Sequence, residues 1–242
     1  RSPSRGLGDV YKRQCQPRKE ELVMRSLLVI SAGLSQPSSS RRLADMLAEA
    51  TRAKIAARGE RAEIDVIEVR DLAFELATAM TDQTAQTPLL ARAKQQVADA
   101  DGLIAVTPVF QGSYSGLFKM FFDTLEPHAL DNLPTIISAT AGSSRHALIL
   151  DYALRPLFNQ LHANVVPTGV FQAAEDLGTP EGERIAARIE RSAIQLADQI
   201  VAPQDRVPGI AGEFTGLGGR STIQLAKENF IPLDKLLNGY GK

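Results

Sequence analysis

The chain has 242 residues, of which 44% are hydrophobic and 23% charged, an ordinary globular composition that can bury a substantial core. Its formal net charge of −1 argues against a nucleic-acid-binding protein, because such proteins usually gather lysine and arginine into a strongly basic face. The longest apolar runs are far shorter than the roughly 18 residues that a membrane-spanning helix needs. We therefore expect neither nucleic acid nor a membrane as a partner.

Cysteine and histidine are too sparse for the common thiolate and metal sites. The single cysteine, Cys15, excludes an internal disulfide framework and any multi-thiolate zinc or iron–sulfur site, and a cytoplasmic protein is expected. The three histidines, His128, His146 and His162, do not have the spacing of an HExxH motif. We expect structural or surface roles for them and no metal site.

The two ends of the chain differ from its middle. Residues 1–23 have neither helical nor strand periodicity and no apolar run of signal-peptide length, so we expect a non-native or disordered leader before a domain over residues 24–202. Without this leader the chain is mildly acidic and has no cysteine, which removes thiol catalysis from consideration. Residues 203–242 are rich in glycine and predict either a flexible tail or an arm around a neighbouring subunit.

Between these ends, short apolar runs alternate with amphipathic stretches, the pattern of βα units on a parallel sheet. The predicted strands cover residues 27–31, 64–69, 102–106, 135–139 and 164–170, with the second at an edge. One helix is predicted to end near residue 59, and the others cover residues 88–100, 115–125, 146–161 and 180–200. A polar connection precedes residue 88. This pattern favours a flavodoxin-like, doubly wound, five-stranded α/β sheet of order 2-1-3-4-5, with ligands at the carboxyl ends of strands one and three.

The loop after the first predicted strand is rich in hydroxyl groups. Its serines are Ser31, Ser35, Ser38, Ser39 and Ser40, and a predicted helix follows. The orphan N–H groups and the dipole of a helix N-terminus favour an anion such as phosphate, although a serine cluster is equally typical of helix capping. Neither GxGxxG nor GxxxxGK[ST] occurs here, so a Rossmann dinucleotide site and a P-loop are not indicated.

Two further loops follow the third and fourth predicted strands. The second loop contains Pro108, Val109, Phe110, Gln111, Gly112 and Ser113, and its glycine permits close backbone approach to a flat ligand. The third contains Thr140, Ala141, Gly142 and Ser143, whose amides can hydrogen-bond a ring with several acceptors, although such loops are often plain turns. Because all three loops follow parallel strands, they should meet at one edge of the sheet.

Residues 31–42, 108–119 and 139–163 together resemble the NADPH-dependent FMN reductase family, especially the reductase components of two-component alkanesulfonate monooxygenases. The most specific pieces are ADGLI at 100–104, TPVF at 107–110 with YSGLFK at 114–119, and DYALRPL at 151–157. The resemblance covers residues 24–200.

This resemblance implies an NAD(P)H:FMN oxidoreductase that reduces FMN to FMNH2 with NADPH or NADH. It further implies a homodimer or homotetramer, which supplies reduced flavin to a flavin-dependent monooxygenase. The serines of the first loop would surround the phosphate, residues 108–113 would line the ribityl chain and isoalloxazine, and residues 140–143 would meet the pyrimidine edge. Hydride passes between the two cofactors, so no catalytic side chain is obligatory.

Two positions of the resemblance need comment. Tyr114 would lie where alkanesulfonate-type reductases have a helix irregularity at a subunit interface, with a role in flavin exchange or subunit packing. Family members commonly carry an arginine in the phosphate loop where this chain has Gln36, which leaves Arg41 or Arg42 as the candidate source of charge.

Other functions stay open on the sequence alone. A quinone, azo-dye or metal-oxyanion reductase would have the same fold and hold FMN as a bound prosthetic group, and a flavodoxin-type electron carrier would need no nicotinamide site. A regulatory subunit that only docks would leave the serine-rich loop unexplained. The choice between NADPH and NADH is also open, because no Rossmann motif places a ribose-reading acidic residue.

Overall fold

The computed structural model describes residues 23–82, 84–176 and 178–201. All of the predicted leader except Val23, and the whole predicted tail, lie outside these residues. Within the described ranges, no helix is long and apolar enough to cross a membrane. The strands are β1 (Met24–Ser31), β2 (Arg61–Glu68), β3 (Gly102–Phe110), β4 (Ser113–Tyr114), β5 (Pro134–Ala141), β6 (Asn164–Val165) and β7 (Val170–Ala173). The α-helices are α1 (Ser39–Ala56), α2 (Ala73–Thr81), α3 (Pro88–Asp99), α4 (Gly116–Asp123), α5 (Arg155–Gln160) and α6 (Pro180–Ile200).

The sheet confirms the predicted flavodoxin-like arrangement. Its parallel strands have the order β2-β1-β3-β5-β6, and β7 pairs with β5 beyond β6. The two-residue strand β4 pairs antiparallel with β3 and lies off this path. Once β4 is set aside, β5 and β6 are the fourth and fifth strands of the predicted order 2-1-3-4-5.

Helices cover both faces of the sheet, which explains why its central strands are apolar at nearly every position. Leu27 and Val29 of β1 pack with Leu43 of α1 and Leu196 of α6 on one face. A second cluster on the opposite face includes residues of α3, α4 and α5, with Phe118 at its centre. Alternate residues of each strand therefore enter different clusters, and the carboxyl edge of the sheet lies between the two helix layers.

Two strands differ from their prediction. Strand three was predicted to end before Pro108, but β3 continues to Phe110. Beyond Val106 this strand no longer pairs with β1, so the missing N–H of proline removes no ladder bond on that side. The prediction of one continuous strand over residues 164–170 was wrong, because this segment contains two separate strands, β6 and the start of β7. Between them, side chains of α6 bind the backbone instead: Gln195 Oε1 accepts from Thr168 N at 3.0 Å and Ser192 Oγ donates to Thr168 O at 2.8 Å.

Two helical segments also differ. The polar connection predicted before residue 88 contains α2, in which only Leu76 is buried while Phe74 is 90% exposed, so no apolar stripe marks the helix. The helix predicted over residues 146–161 is irregular. It begins with a 3₁₀ turn (Ser144–His146), continues through a π-helical turn (Leu150–Leu154) and becomes α-helical only in α5.

Candidate functional site

The three predicted loops meet at the carboxyl edge of the sheet and enclose a cavity of about 320 Å³. This volume lies at the lower end of the range of about 300–1,000 Å³ that is usual for small-molecule sites. The cavity is lined by Gly33, Leu34, Ser35, Ser38, Ser39, Ser40, Pro108, Val109, Phe110, Thr140, Ala141, Gly142 and Ala174.

Most of the predicted binding positions line this cavity, but some do not. Ser31, Gln111, Gly112, Ser113 and Ser143 are predicted residues outside its lining. Gly33, Leu34 and Ala174 line it and were not singled out. Ala174 follows β7, whose separate position the sequence pattern did not reveal.

The first loop folds tightly back on itself before α1. A Cβ atom at Gly33 would lie 1.9 Å from Ser38 Oγ, so only glycine fits there without displacing that side chain. Ser38 Oγ accepts a hydrogen bond from Arg41 N at 3.2 Å and caps α1. The capping interpretation is therefore right for Ser38. The N–H groups of Ser39 and Ser40, in the first turn, have no acceptor within the helix and lie beside the cavity.

Ser31 was predicted to surround the phosphate with the other serines of the first loop, but its side chain does not face the cavity. The residue is fully buried at the end of β1, in one row of the sheet with Val106 and Ser138. Its hydroxyl has no hydrogen-bond partner within the described residues. Side chains alternate between the faces of a strand, and the position of Ser31 directs it beneath α1 rather than into the loop.

Arg70, rather than Arg41, brings a guanidinium to the first loop. Arg41 pairs with Asp45 at 2.7 Å and Glu68 at 2.8 Å, so its charge is already balanced, and these hydrogen bonds raise its pKa, the one from Glu68 most. Arg70 Nη1 donates to Ser35 O at 3.2 Å. The Gln36 side-chain amide is oriented with its oxygen toward Arg70. In this orientation the oxygen accepts hydrogen bonds from Arg70 Nη1 at 3.2 Å and from Arg70 Nη2 at 2.9 Å.

A buried hydroxyl pair joins the first and third loops. Ser40 Oγ and Thr140 Oγ1 are 2.7 Å apart, and both residues are buried. In the low-dielectric interior such a bond is costly to break, because the remaining hydroxyl would have no partner. The pair fixes the N-terminus of α1 against the end of β5.

The second loop is a hairpin between β3 and β4. Gln111 and Gly112 form its two-residue turn, with φ of 49° and 76°, which is the left-handed geometry of the tight turns that suit a twisted hairpin. Tyr152, in the π-helical turn, donates its hydroxyl to Gly112 O at 2.6 Å. The hairpin is therefore fixed at its tip by a residue that the sequence prediction did not single out.

Glu175 fixes the third loop from the far side. Its Oε1 accepts from Ser144 N at 2.6 Å, Ser144 Oγ at 2.7 Å and Ser143 Oγ at 3.2 Å. These hydrogen bonds, chiefly the one from Ser144 N, lower the pKa of the Glu175 carboxyl. Glu175 N also donates to Gly142 O at 3.4 Å, so one residue holds both ends of this short loop.

Tyr114 does not lie in an irregular helix. It is in strand β4, half-buried, with its ring 6.0 Å from that of Phe118. The irregular helix of this chain is the π-helical turn at Leu150–Leu154. The position implied for Tyr114 by the resemblance was therefore wrong, and its role in flavin exchange or subunit packing stays a prediction.

Comparison with known proteins assigns the chain to a family. Residues 25–178 match the family model described as NADPH-dependent FMN reductase. The chain belongs to this family. The reductase is 35% identical over 179 residues to an FMN reductase (NADPH) of Pseudomonas aeruginosa, a match that covers 73% of this chain and 90% of the relative. It is 38% identical over 183 residues to the NADH-dependent FMN reductase SfnE of Pseudomonas putida, covering 74% and 91%.

A solved structure supports the same assignment for the reductase. An oxidoreductase from Corynebacterium diphtheriae is 54% identical and superposes with a TM-score of 0.71, covering 73% of this chain and 97% of that one. The chain is thus an NAD(P)H-dependent FMN oxidoreductase of flavodoxin-like fold, and the expected enzyme class is confirmed.

Proposed function

We propose that this reductase binds FMN in the carboxyl-edge cavity, reduces it with NADH or NADPH and releases the product to a partner monooxygenase. The observation that carries this proposal is the junction of three loops over the N-terminus of α1. One side of the cavity can hold an anion, while the other offers flat apolar walls and small residues. These two properties match the phosphate and the ring system of a flavin nucleotide.

The phosphate would lie at the first loop. The N–H groups of Ser39 and Ser40 and the hydroxyl of Ser39 offer donors there, whereas the Ser35 hydroxyl already donates to Pro37 O at 3.0 Å. The dipole of the 18-residue helix α1 favours a negative charge at the same place. Arg70, next to Ser35, supplies the guanidinium that Gln36 does not; its one ion pair within the described residues is a long contact of 3.7 Å with the exposed Asp71. An anion can thus be bound without a conventional phosphate-loop arginine.

The ring system would lie between the second and third loops. Pro108, Val109 and Phe110 form one apolar wall, and Ala141 and Gly142 leave backbone amides accessible to ring heteroatoms. Bound FMN would supply the acceptor for hydride from the nicotinamide, which is the chemistry of the cofactors and not of a side chain. The protein's part is to orient the rings, exclude water and offer N–H groups where negative charge develops.

The relatives are named for different coenzymes. The P. aeruginosa relative is named for NADPH and the P. putida relative for NADH, so we propose activity with both coenzymes and a preference to be measured. The expected cytoplasmic location and homo-oligomeric state stay predictions.

Flavin titration tests the phosphate position. We expect FMN to bind more tightly than riboflavin, because only FMN has a phosphate for the helix N-terminus. Ser39→Asp should weaken FMN binding by charge repulsion and leave riboflavin binding nearly unchanged, whereas the neutral control Ser39→Asn should affect both little. Equal affinities of the wild type for FMN and riboflavin, measured by fluorescence quenching, would remove the phosphate from this loop.

Flavin content tests release. An enzyme that delivers reduced flavin must let it leave on the turnover timescale, so the purified protein should be nearly colourless. Steady-state kinetics with NADH and NADPH should saturate with free FMN as a second substrate. A yellow protein with stoichiometric FMN that reduces quinones faster than free FMN would instead be the prosthetic-group reductase.

A further inference from the structure

Two histidines and an aspartate meet at the opposite edge of the sheet from the cavity. His128 and Asp131 lie in the loop between α4 and β5, and His162 lies between α5 and β6. Asp131 Oδ2 is 3.0 Å from His128 Nδ1, and Asp131 Oδ1 is 3.2 Å from His162 Nδ1. One ligand atom of each residue lies within 4.8 Å of the other two.

We propose that His128, Asp131 and His162 form a binding site for a divalent transition metal ion of the zinc class. Imidazole nitrogen with one carboxylate oxygen is a donor set that suits zinc, nickel or copper, whereas magnesium and calcium prefer oxygen ligands alone. Tetrahedral zinc with bonds of about 2.0–2.2 Å separates neighbouring ligand atoms by roughly 3.4 Å. The His128 and His162 nitrogens lie 3.0 and 3.2 Å from different oxygens of Asp131, and one ligand atom of each residue lies within 4.8 Å of the other two, so small side-chain rotations would bring the three donors to that spacing.

The backbone holds this group in place. Asn132 N donates to His162 O at 2.9 Å and Asn164 N donates to Leu133 O at 3.0 Å, so the two loops are joined independently of the side chains. His128 and His162 have φ of 68° and 59°, in the left-handed region that is uncommon for residues other than glycine and in which asparagine, aspartate and histidine are enriched. From this backbone conformation both residues direct an imidazole nitrogen toward the Asp131 carboxylate.

The surroundings allow an ion to enter. The histidine side chains are 62% exposed while that of Asp131 is only 23% exposed, so the carboxylate forms the floor of the site and the rings its open sides. Three protein ligands leave a position for water. The ion would take the place of the contacts between the two rings and Asp131 and bind together the two loops that lead into β5 and β6. The effect should be on stability, since the cavity lies at the other ends of these strands.

Metal titration of the full-length, untagged protein tests the site. After removal of bound metals with a chelating resin, calorimetry with ZnCl2 should give one zinc ion per chain. At a hundredfold excess over Kd, the unfolding midpoint should rise by roughly 5–10 °C. MgCl2 at the same concentration should cause no such shift.

Variants assign the ligands. His128→Asn and His162→Asn keep a residue that tolerates left-handed backbone, and each should weaken zinc binding by about a hundredfold or more, since even outer-shell changes cost about 10–100-fold. His146→Asn is a matched control outside the group, and Cys15→Ser tests the single thiol of the sequence; both variants should bind zinc as the wild type does. The proposal is overturned if the wild type neither binds zinc nor gains stability from it, or if binding persists in both histidine variants.

Discussion

The two edges of one sheet are held together by different chemistry. At the carboxyl edge, the loops are joined mainly by neutral groups, such as the Ser40–Thr140 hydroxyl pair and the bond from Tyr152 to Gly112. At the amino edge, charged and titratable groups join the loops: Arg25 binds Glu60 at 2.6 Å and Asp101 at 3.5 Å, and Asp131 binds two histidines.

This difference separates ligand binding from stabilisation. The Ser40–Thr140 and Tyr152–Gly112 contacts at the carboxyl edge are neutral, so they add no charge that would compete with the α1 N-terminus for an anionic ligand. The ion pairs of the amino edge satisfy one another and offer nothing to a flavin. Charged groups also lie at the carboxyl edge: Glu175 fixes the third loop through hydrogen bonds, and Arg41 pairs with Glu68 at the end of β2. Changes at the two edges should therefore have separable effects.

The largest effect on flavin binding is expected from Gly33→Ala. The new Cβ would displace Ser38 Oγ, remove the cap of α1 and shift the first-turn N–H groups. Loss of the cap alone costs about 1 kcal/mol of stability, and FMN affinity should fall by about tenfold or more, equivalent to at least about 1.4 kcal/mol. Gly116→Ala, where a Cβ meets nothing within 4 Å, is the control. Unchanged FMN quenching by Gly33→Ala would show that this loop does not hold the phosphate.

Thr140→Val tests whether the first and third loops act as one unit. The substitution leaves Ser40 Oγ buried without its partner and should lower the free energy of unfolding by about 1–3 kcal/mol. The double variant Ser40→Ala/Thr140→Val removes both hydroxyls and should cost less than the sum of the single changes. Urea unfolding measures these differences, and strict additivity would mean that the two hydroxyls are not coupled.

Arg25→Met, at the amino edge, should lower stability without changing flavin binding. Its guanidinium is partly buried, and the hydrogen bond with Glu60 is the chief cause that raises its pKa. Because the pair is partly screened by solvent, we expect a loss of about 1 kcal/mol in unfolding free energy. FMN affinity should not change. Arg52→Met, which removes an exposed pair with Glu49, is the control and should cost less. A fall in FMN affinity for Arg25→Met would contradict the separation of the edges.

The smallest effect is the pH dependence of the third loop. The pKa of Glu175 is lowered in the folded protein, so its contribution is present above the ordinary value of 4.5 and is lost as the pH falls through the lowered folded pKa. Wild-type FMN affinity should therefore decline by a few-fold in acid, while Glu175→Gln should start lower and lose this part of the decline. Glu183→Gln, on the exposed side of α6, is the control. Identical pH profiles for wild type and Glu175→Gln would exclude a role for the carboxylate.

The sequence predicted those elements whose burial leaves a periodic signal. The strands at the centre of the sheet are apolar on both faces, and α6 has a regular apolar stripe, so their positions followed from the pattern. Helix α2 was missed because it buries only Leu76. The break between β6 and β7 was missed because the competing partners, Ser192 and Gln195, lie more than twenty residues away in α6.

The candidate site also has parts that the sequence pattern reveals and parts that it does not. Its loops were predicted because residues at the ends of parallel strands must meet at one edge. The side chains that fix those loops come from elsewhere: Arg70 follows β2, Tyr152 lies in a π-helical turn and Glu175 follows β7. No local pattern marks such residues, since their partners are backbone groups that become neighbours only in the folded chain.

The Ser40–Thr140 pair also bears on when the cavity forms during folding. One hundred residues separate its two members, so the contact closes a long segment of chain and requires both halves of the sheet to be in place. Interactions of this kind are expected to form late, after the folding transition state. A flavin that binds across the pair should then slow unfolding and leave the rate of folding nearly unchanged. Stopped-flow refolding and unfolding with and without FMN would measure the two rates separately.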